Sequence, residues 1–151
     1  MRNIIATMIV LVATSAAAQQ RCPSIDRPER PQFSHPLPDE IVTDFRSQTR
    51  TPDRLNTDIV YAATAGDAVR AAADGQVDHV QPEGTGQRLT VRHAQGYSTG
   101  YLPMREIAVG IGDCISAGDI LGRAVAPLRF ELMIHGRMVD PVRVRGGLPA
   151  R

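Results

Sequence analysis

The sequence predicts one mostly β domain, folded as an antiparallel β sandwich or a partly closed barrel. After residue 34, short runs of strand-forming residues alternate with Gly, Asp and Pro, which is typical of strands joined by tight turns. The stretch QRLTVRH at 87–93 alternates with a period of two, as a half-buried strand does. No stretch after residue 34 keeps a helical period over about ten residues. The length of 151 residues fits a single domain with a modest core.

The N-terminal segment, residues 1–18, has the pattern of a secretory signal. Arg2 precedes an apolar run over residues 4–13, and alanines at 16–18 supply the small residues that a signal peptidase accepts. The run is shorter than the roughly 20 apolar residues of a membrane-spanning helix. We therefore expect export with cleavage near Gln19, and an uncleaved anchor is the alternative.

The charge of the remaining chain is balanced. Cleavage removes Arg2 and no acid, which leaves 16 of the 17 basic residues against 16 Asp and Glu. A chain without excess positive charge lacks the electrostatic surface that polyanions require, so nucleic acid is not an expected partner. All basic residues are arginine, and the sequence contains no lysine.

Three segments follow the signal. Residues 19–34 hold several prolines among charged residues, which predicts an extended wrap or tether rather than a core element. The domain is expected over residues 35–145, and residues 146–151 form a short C-terminal tail.

The strands are expected in hairpins. IVTDF begins the series, and the stretch around residues 67–80 pairs with QRLTVRH through the linker QPEGTG. In this hairpin Leu89, Val91 and His93 share one face, and a regular register adds His79 to it. The tight turns are expected at Asp74–Gly75, Gly112–Asp113, Gly118–Asp119 and His135–Gly136.

Four stretches of the sequence, taken in chain order, resemble the segments of LytM-type domains, the lysostaphin-like peptidase family M23. HPLPDEIVTDF is similar to the opening segment, and AGDAVRAAADGQVDHV to the strand–turn–strand that follows it. GTGQRLTVRHAQGYSTGY resembles the next hairpin, and IAVGIGDCISAGDILGRA with FELMIHGRMVDP resembles the closing segments. The resemblance covers roughly residues 35–145 and implies the LytM fold.

The resemblance also implies where a zinc site would stand. Active members hold one zinc with His-x-x-x-Asp and the second His of His-x-His, and two further histidines polarise water. In RLNTD, Asp58 is retained and Arg54 replaces the histidine; in PLRFE, Pro127 and Arg129 replace His-x-His; in TGYLPM, Pro103 replaces the last histidine. Arginine is protonated and has no lone pair for a metal, and proline offers no ligand atom. We therefore expect a pseudoenzyme with no zinc or other cofactor and no catalytic residue.

Without zinc, the negative charge of Asp58 needs another positive partner. The hypothesis is that Arg54 or Arg129 pairs with Asp58. The alternative is that Arg54 lies on a loop in solvent and only Arg129 faces the groove.

The remaining polar residues suggest weaker sites. His35, His79, His93 and His135 could rebuild a relocated zinc site only if the fold gathered them. Asp113 and Asp119 have residue types used in acid–base chemistry, but Gly-Asp pairs more often serve turns. Glu131 and Asp140 match framework positions of the family, and Tyr101 could line a groove or pack in the core.

The two cysteines, Cys22 and Cys114, are candidate disulfide partners in an exported chain. A bond between them would tie the N-terminal lead to the turn after Gly112–Asp113. Two free or separately modified thiols are the alternative.

The function that the resemblance implies is regulation in the bacterial periplasm. Degenerate members of the family bind and activate peptidoglycan amidases through the former active groove, here Arg54, Asp58, Tyr101, Pro103, Pro127 and Arg129. The expected partner is therefore an amidase or another cell-wall hydrolase, with no membrane contact after signal cleavage. The alternatives are a module that binds peptidoglycan itself and an active zinc endopeptidase with relocated ligands. A biotinyl or lipoyl carrier is excluded, because it would need a lysine.

Overall fold

A computed structural model describes residues 21–44 and 57–150, and most of the strands lie in the second part. The nine strands are β1 (Ile41–Thr43), β2 (Ile59–Tyr61), β3 (Ala68–Arg70), β4 (Gly75–Glu83), β5 (Gly86–Arg92), β6 (Tyr97–Arg105), β7 (Cys114–Ile115), β8 (Ile120–Ile134) and β9 (Arg137–Val139). Two short 3₁₀ turns lie at Pro23–Asp26 and Ala94–Gly96. The predicted mostly β single domain is confirmed.

The strands form one antiparallel sheet in the order β1-β2-β8-β6-β5-β4-β7. The long strand β8 also pairs with β3 near its start and with β9 near its end. Among the described strands, β1 and β7 stand at opposite ends of this order and do not pair. The sheet is therefore not closed into a complete barrel.

The core lies on one face of this sheet, as the period-two pattern of QRLTVRH predicts. Leu89, Val91 and His93 are buried, and Phe130 and Leu132 of β8 join them. Burying each large apolar side chain contributes about 1.5–3 kcal/mol, so this face supplies most of the driving force for the sheet.

The β4–β5 hairpin has one irregularity that changes a predicted contact. A β-bulge between Val77 and His79 shifts the register, so His79 lies opposite Thr90. Thr90 points away from the core face that holds His93. The prediction that His79 and His93 share a face is therefore wrong, because the bulge inserts an extra residue into the alternation.

The N-terminal lead and the C-terminal tail both contribute to the core. Phe33 and Leu148 are buried within it, and the N–H of Phe33 donates to the carbonyl of Gly146 over 2.9 Å. The lead does run as an extended wrap, but the expectation that it adds nothing to the core is wrong. Its apolar content is low, yet one aromatic side chain is enough to anchor it.

A disulfide joins Cys22 of the lead to Cys114 of β7, with their Cα atoms 5.5 Å apart. The lead is thereby fixed covalently at one end of the sheet. In the two described parts of the chain, no helix has the length and apolar character required to cross a membrane. The expected signal, residues 1–18, lies outside the described residues.

Candidate functional site

Three of the residues predicted for the degenerate groove line one open cavity of about 430 Å³. Pro103 comes from β6, and Pro127 and Arg129 come from β8. Val60 of β2 and the β4–β5 turn complete the wall, which is largely apolar. We call this cavity, together with the adjoining Asp58, the groove.

The strand pairing explains why these residues meet. Arg129 lies opposite Val60 on one side of β8 and opposite Leu102 of β6 on the other. Asp58 directly precedes β2, so the same pairing brings its carboxylate to Arg129. Residues far apart in sequence thus converge because β8 lies between β2 and β6.

Arg129 forms an ion pair with Asp58. The distance from Arg129 Nε to Asp58 Oδ2 is 3.6 Å, and Nη2 of the same guanidinium lies 3.6 Å from Glu83 Oε1. The side chain of Asp58 is only 10% exposed, whereas that of Arg129 is 43% exposed. Of the two arginines proposed as partners of Asp58, Arg129 makes the contact. Arg54 lies outside the described residues.

The ion pair is one end of a longer row of alternating charges. Glu83 also lies 3.8 Å from Nε of Arg88, and Arg88 forms a two-pronged salt bridge with the buried Glu131. We call Asp58, Arg129, Glu83, Arg88 and Glu131 the charge row. Each of its arginines stands between two carboxylates, so neither guanidinium is left without a counter-charge.

Gly100 makes room for the inner end of the charge row. A Cβ atom at Gly100 would lie 2.9 Å from Glu131 Oε2 and 3.4 Å from Arg88 Nη1. The family resemblance implies only a framework position for Glu131, and the sequence does not predict the roles of Glu83 and Arg88. The alternation in QRLTVRH places Arg88 on the polar face of its strand. Its salt-bridge partners could not be predicted, because they depend on the order of the strands in the sheet.

The donor set of the groove does not fit the zinc that the family resemblance implies. Zinc requires neutral imidazoles, thiolates or carboxylates. Asp58 and Glu83 supply carboxylates, but both face the permanent cation of Arg129, which would repel a divalent ion. Within residues 21–44 and 57–150, no cluster of three or more His, Cys, Asp or Glu could hold a metal. Pro103 and Pro127 have no side-chain atom that could accept a proton.

Tyr101 does not line the groove. Its side chain is fully buried, and its hydroxyl accepts a hydrogen bond from the backbone N–H of Ala72 over 2.9 Å. Thr99 Oγ1 lies 3.1 Å from the same hydroxyl. Burial raises the pKa of Tyr101 to about 12. Of the two alternatives from the sequence, the structure shows core packing, because Tyr101 has the same parity on β6 as the buried Tyr97 and Thr99.

His93 is also a core residue. Its Nδ1 lies 2.7 Å from the carbonyl oxygen of Asp74, and its Nε2 lies 2.8 Å from Thr99 Oγ1. Desolvation lowers the pKa of His93 to about 4, so the ring is neutral at physiological pH. Both ring nitrogens already have partners, and a role as metal ligand would break one of these bonds.

The other histidines are dispersed. His35 bridges the hydroxyl of Tyr61 and the carbonyl of Pro149, at 2.7 and 2.8 Å. His79 is exposed beside Asp78, and His135 occupies the exposed β8–β9 turn. The structure therefore does not gather the histidines that a relocated zinc site would need.

Asp113 and Asp119 close turns, as their Gly-Asp context indicates. Asp113 accepts the backbone N–H of Gly110 over 2.7 Å, and Asp119 accepts that of Ser116 over 2.8 Å. Asp140 has a similar part, accepting the N–H of Val142.

Comparisons with known proteins agree with this fold. The chain is 35% identical over 99 residues to the DD-carboxypeptidase/endopeptidase Mpg of Neisseria meningitidis, an alignment that covers 60% of this chain and 23% of that protein. The structure of LytU is similar with a TM-score of 0.62 and 26% identity, covering 68% of this chain and 81% of that one. A mutant catalytic domain of the prophage-encoded M23 protein EnpA from Enterococcus faecalis gives a TM-score of 0.63 at 27% identity, covering 72% and 95%.

The family model for peptidase family M23 matches residues 54–141, which is more than half of the sequence. This match includes β2 to β9 and every described residue of the groove. The chain belongs to peptidase family M23.

Proposed function

We propose that this chain is a non-catalytic M23 domain of the bacterial envelope that regulates a peptidoglycan hydrolase. In the simplest form, its groove binds and activates an N-acetylmuramoyl-alanine amidase. The observation that carries the proposal is the ion pair between Arg129 and Asp58. A permanent cation stands where the family resemblance implies a zinc-binding histidine, and it engages the one ligand that is retained.

The walls of the groove support binding rather than hydrolysis. Hydrolysis needs a group that accepts a proton from water, and Pro103 and Pro127 replace the histidines that the resemblance implies for this task. An apolar wall with an arginine beside it is instead typical of the centre of a protein interface. Arg129 is half-exposed, so a partner can reach it.

Binding of peptidoglycan without an enzyme partner is the second candidate. The 35% identity to a DD-carboxypeptidase/endopeptidase favours a groove shaped for peptide ends. A guanidinium can bond a peptide carboxylate through two parallel hydrogen bonds. In this case Arg129 would release Glu83 and take the carboxylate of the ligand.

Dye release from labelled murein by a purified amidase, with and without this protein, tests the proposal. We expect the protein to accelerate release and the Arg129→Gln variant to lose the effect. Arg123→Gln is the matched control, because Arg123 is exposed on the same strand but lies outside the groove. Both variants should keep the melting temperature within a few degrees.

The outcomes separate the candidates. Retention on murein sacculi that depends on Arg129, without any effect on amidases, would favour the binding module. Dye release by the protein alone, or one zinc per chain by metal analysis, would overturn the assignment as a pseudoenzyme.

A further inference from the structure

A second cavity, of about 410 Å³, opens where the N-terminal lead, the segment that follows β9 and the β8–β9 turn meet. It shares no lining residue with the groove. Tyr97, Ile134 and Val144 form its apolar wall. Two permanent cations line it, Arg30 from the lead and Arg145 from the segment after β9, and His135 of the turn lines it as well.

The two arginines have no carboxylate partner among the residues that the structure describes. Neither Arg30 nor Arg145 forms an ion pair within residues 21–44 and 57–150, and no Asp or Glu lines this cavity. The acid nearest to Arg145 in the sequence, Asp140, forms an ion pair with Arg143 at 3.4 Å. Arg30 also borders a neighbouring cavity that is lined by Glu29 and Asp74, but it forms no ion pair with either carboxylate. Among the described residues, two permanent positive charges therefore line one cavity to which no carboxylate contributes.

The fold fixes the positions from which these arginines extend. The hydrogen bond from Phe33 N–H to the Gly146 carbonyl joins the lead to the tail. Gly146 has a φ of 80°, and a Cβ there would lie 2.6 Å from the carbonyl oxygen of Pro31. Only glycine allows the two segments to approach so closely. The juxtaposition of Arg30 and Arg145 is thus built into the backbone.

The imidazole of His135 is held in a similar way. The N–H of His135 donates to the Gly96 carbonyl over 2.9 Å, and its ring packs directly on Gly96. A Cβ at Gly96 would fall within 2.3 Å of the ring, so this packing requires glycine. The ring therefore stays at the cavity rather than turning freely into solvent.

We propose that this cavity is a binding site for a phosphate-bearing ligand. A carboxylate has two oxygens and is satisfied by one guanidinium, whereas a phosphate presents three or more acceptors that donors from separate segments can share. The apolar wall of Tyr97, Ile134 and Val144 would contact the organic part of the molecule. Arg30 and Arg145 lie outside the family match of residues 54–141, and the site does not depend on the proposed function of the groove.

Calorimetric titration with inorganic phosphate at low ionic strength tests the site. We expect saturable binding by the wild-type protein and a loss of affinity of about tenfold or more in Arg30→Gln and in Arg145→Gln, the size expected for a charge-assisted hydrogen bond. Arg123→Gln, which removes an equal charge elsewhere on the surface, should bind as wild type. Amide shifts at Gln95 and Val144 during the titration would locate the ligand.

The Gly96→Ala variant distinguishes a built site from diffuse charge. It keeps both arginines but displaces His135, and we expect weaker binding of phosphate. Equal losses in Arg123→Gln and Arg145→Gln, or affinity unchanged in Arg145→Gln, would overturn the proposal.

Vesicle flotation distinguishes between two sources of the phosphate group, a lipid headgroup and a small soluble ester. Phosphatidylcholine vesicles with and without phosphatidylglycerol are the probes, and flotation that needs both the anionic lipid and Arg145 would assign a lipid headgroup. Phosphate binding without flotation would assign a small phosphate ester. Absence of saturable binding to phosphate and to both vesicles would refute the site.

Discussion

The guanidinium of Arg129 contacts the carboxylate of Asp58 at the position where the family resemblance implies a metal ligand. Nη2 of the same guanidinium lies 3.6 Å from Glu83 Oε1. Arg129 therefore links two carboxylates of the groove, one on each side of its guanidinium.

Replacing Asp58 with alanine should lower the free energy of unfolding by about 1 kcal/mol. The value is modest because Arg129 is half-exposed and solvent screens the pair. Denaturant unfolding of Asp58→Ala, Arg129→Gln and the double variant would measure the coupling between the two side chains. A coupling energy indistinguishable from zero would mean that the contact adds nothing to stability.

The inner end of the charge row should matter far more. Arg88→Ala leaves the buried carboxylate of Glu131 without its cation, and we expect a loss of about 3 kcal/mol. Arg105→Ala is the control, since Arg105 and its neighbour Glu106 are both exposed and should contribute less than about 0.5 kcal/mol.

A double variant tests the reason for that loss. Replacing Arg88 and Glu131 together with leucine removes the buried charge as well as its partner, so it should be less destabilising than Arg88→Ala. A double variant no more stable than Arg88→Ala would mean that the loss does not come from the stranded charge of Glu131.

Local pattern was sufficient for the turns and for the faces of regular strands. Asp113 and Asp119 each accept a hydrogen bond from the backbone N–H three residues earlier, which closes the turn. Leu89 and Val91 are both buried on one face of their strand, as the sequence predicts. Both features depend only on neighbouring residues. The resemblance placed Pro103, Pro127 and Arg129 at one groove, and the strand order β2-β8-β6 brings them there.

The features that were predicted wrongly or missed have physical causes that are not visible in a local sequence pattern. His79 changes face because a bulge breaks the period of two, and Tyr101 is buried because its parity on β6 follows the core. The contacts of Glu83 with both arginines depend on how β4, β5 and β8 lie in space. Phe33 was missed because a single apolar residue among prolines leaves no periodic signal.

The buried His93 predicts a loss of stability in mild acid. The folded state holds its pKa near 4, whereas the unfolded chain has the ordinary value near 6.5, so the unfolded state binds the proton first as pH falls. The stabilising contribution is complete above about pH 6.5 and falls progressively toward pH 4. Between about pH 7 and pH 5 the free energy of unfolding should drop by about 2 kcal/mol.

Urea unfolding at a series of pH values measures this slope. His79→Gln should keep it, since His79 is exposed, and His93→Gln should flatten it although its stability is lower throughout. The pKa of Asp74 is lowered from 3.8, chiefly by the N–H of Ala117, so its titration falls below this window. An unchanged slope in His93→Gln would assign the acid sensitivity to another group.

The disulfide between Cys22 and Cys114 closes a loop with a sequence separation of 92 residues. In the chain-entropy model such a cross-link stabilises the folded state by about 4–5 kcal/mol, because it restricts the unfolded chain. Reduction should therefore lower the melting temperature by more than ten degrees, taking roughly 3 °C per kcal/mol for a chain of this size. Melting curves with and without reductant test this. The Cys22→Ser/Cys114→Ser variant should melt at the temperature of the reduced protein, and reductant should not change that temperature.

Because the bond anchors the lead that carries Phe33 and Arg30, the variant should also show faster amide exchange over residues 21–34. If the double-serine variant has the same melting temperature as the oxidised wild type, Phe33 and the hydrogen bond to Gly146 hold the lead in place without the disulfide.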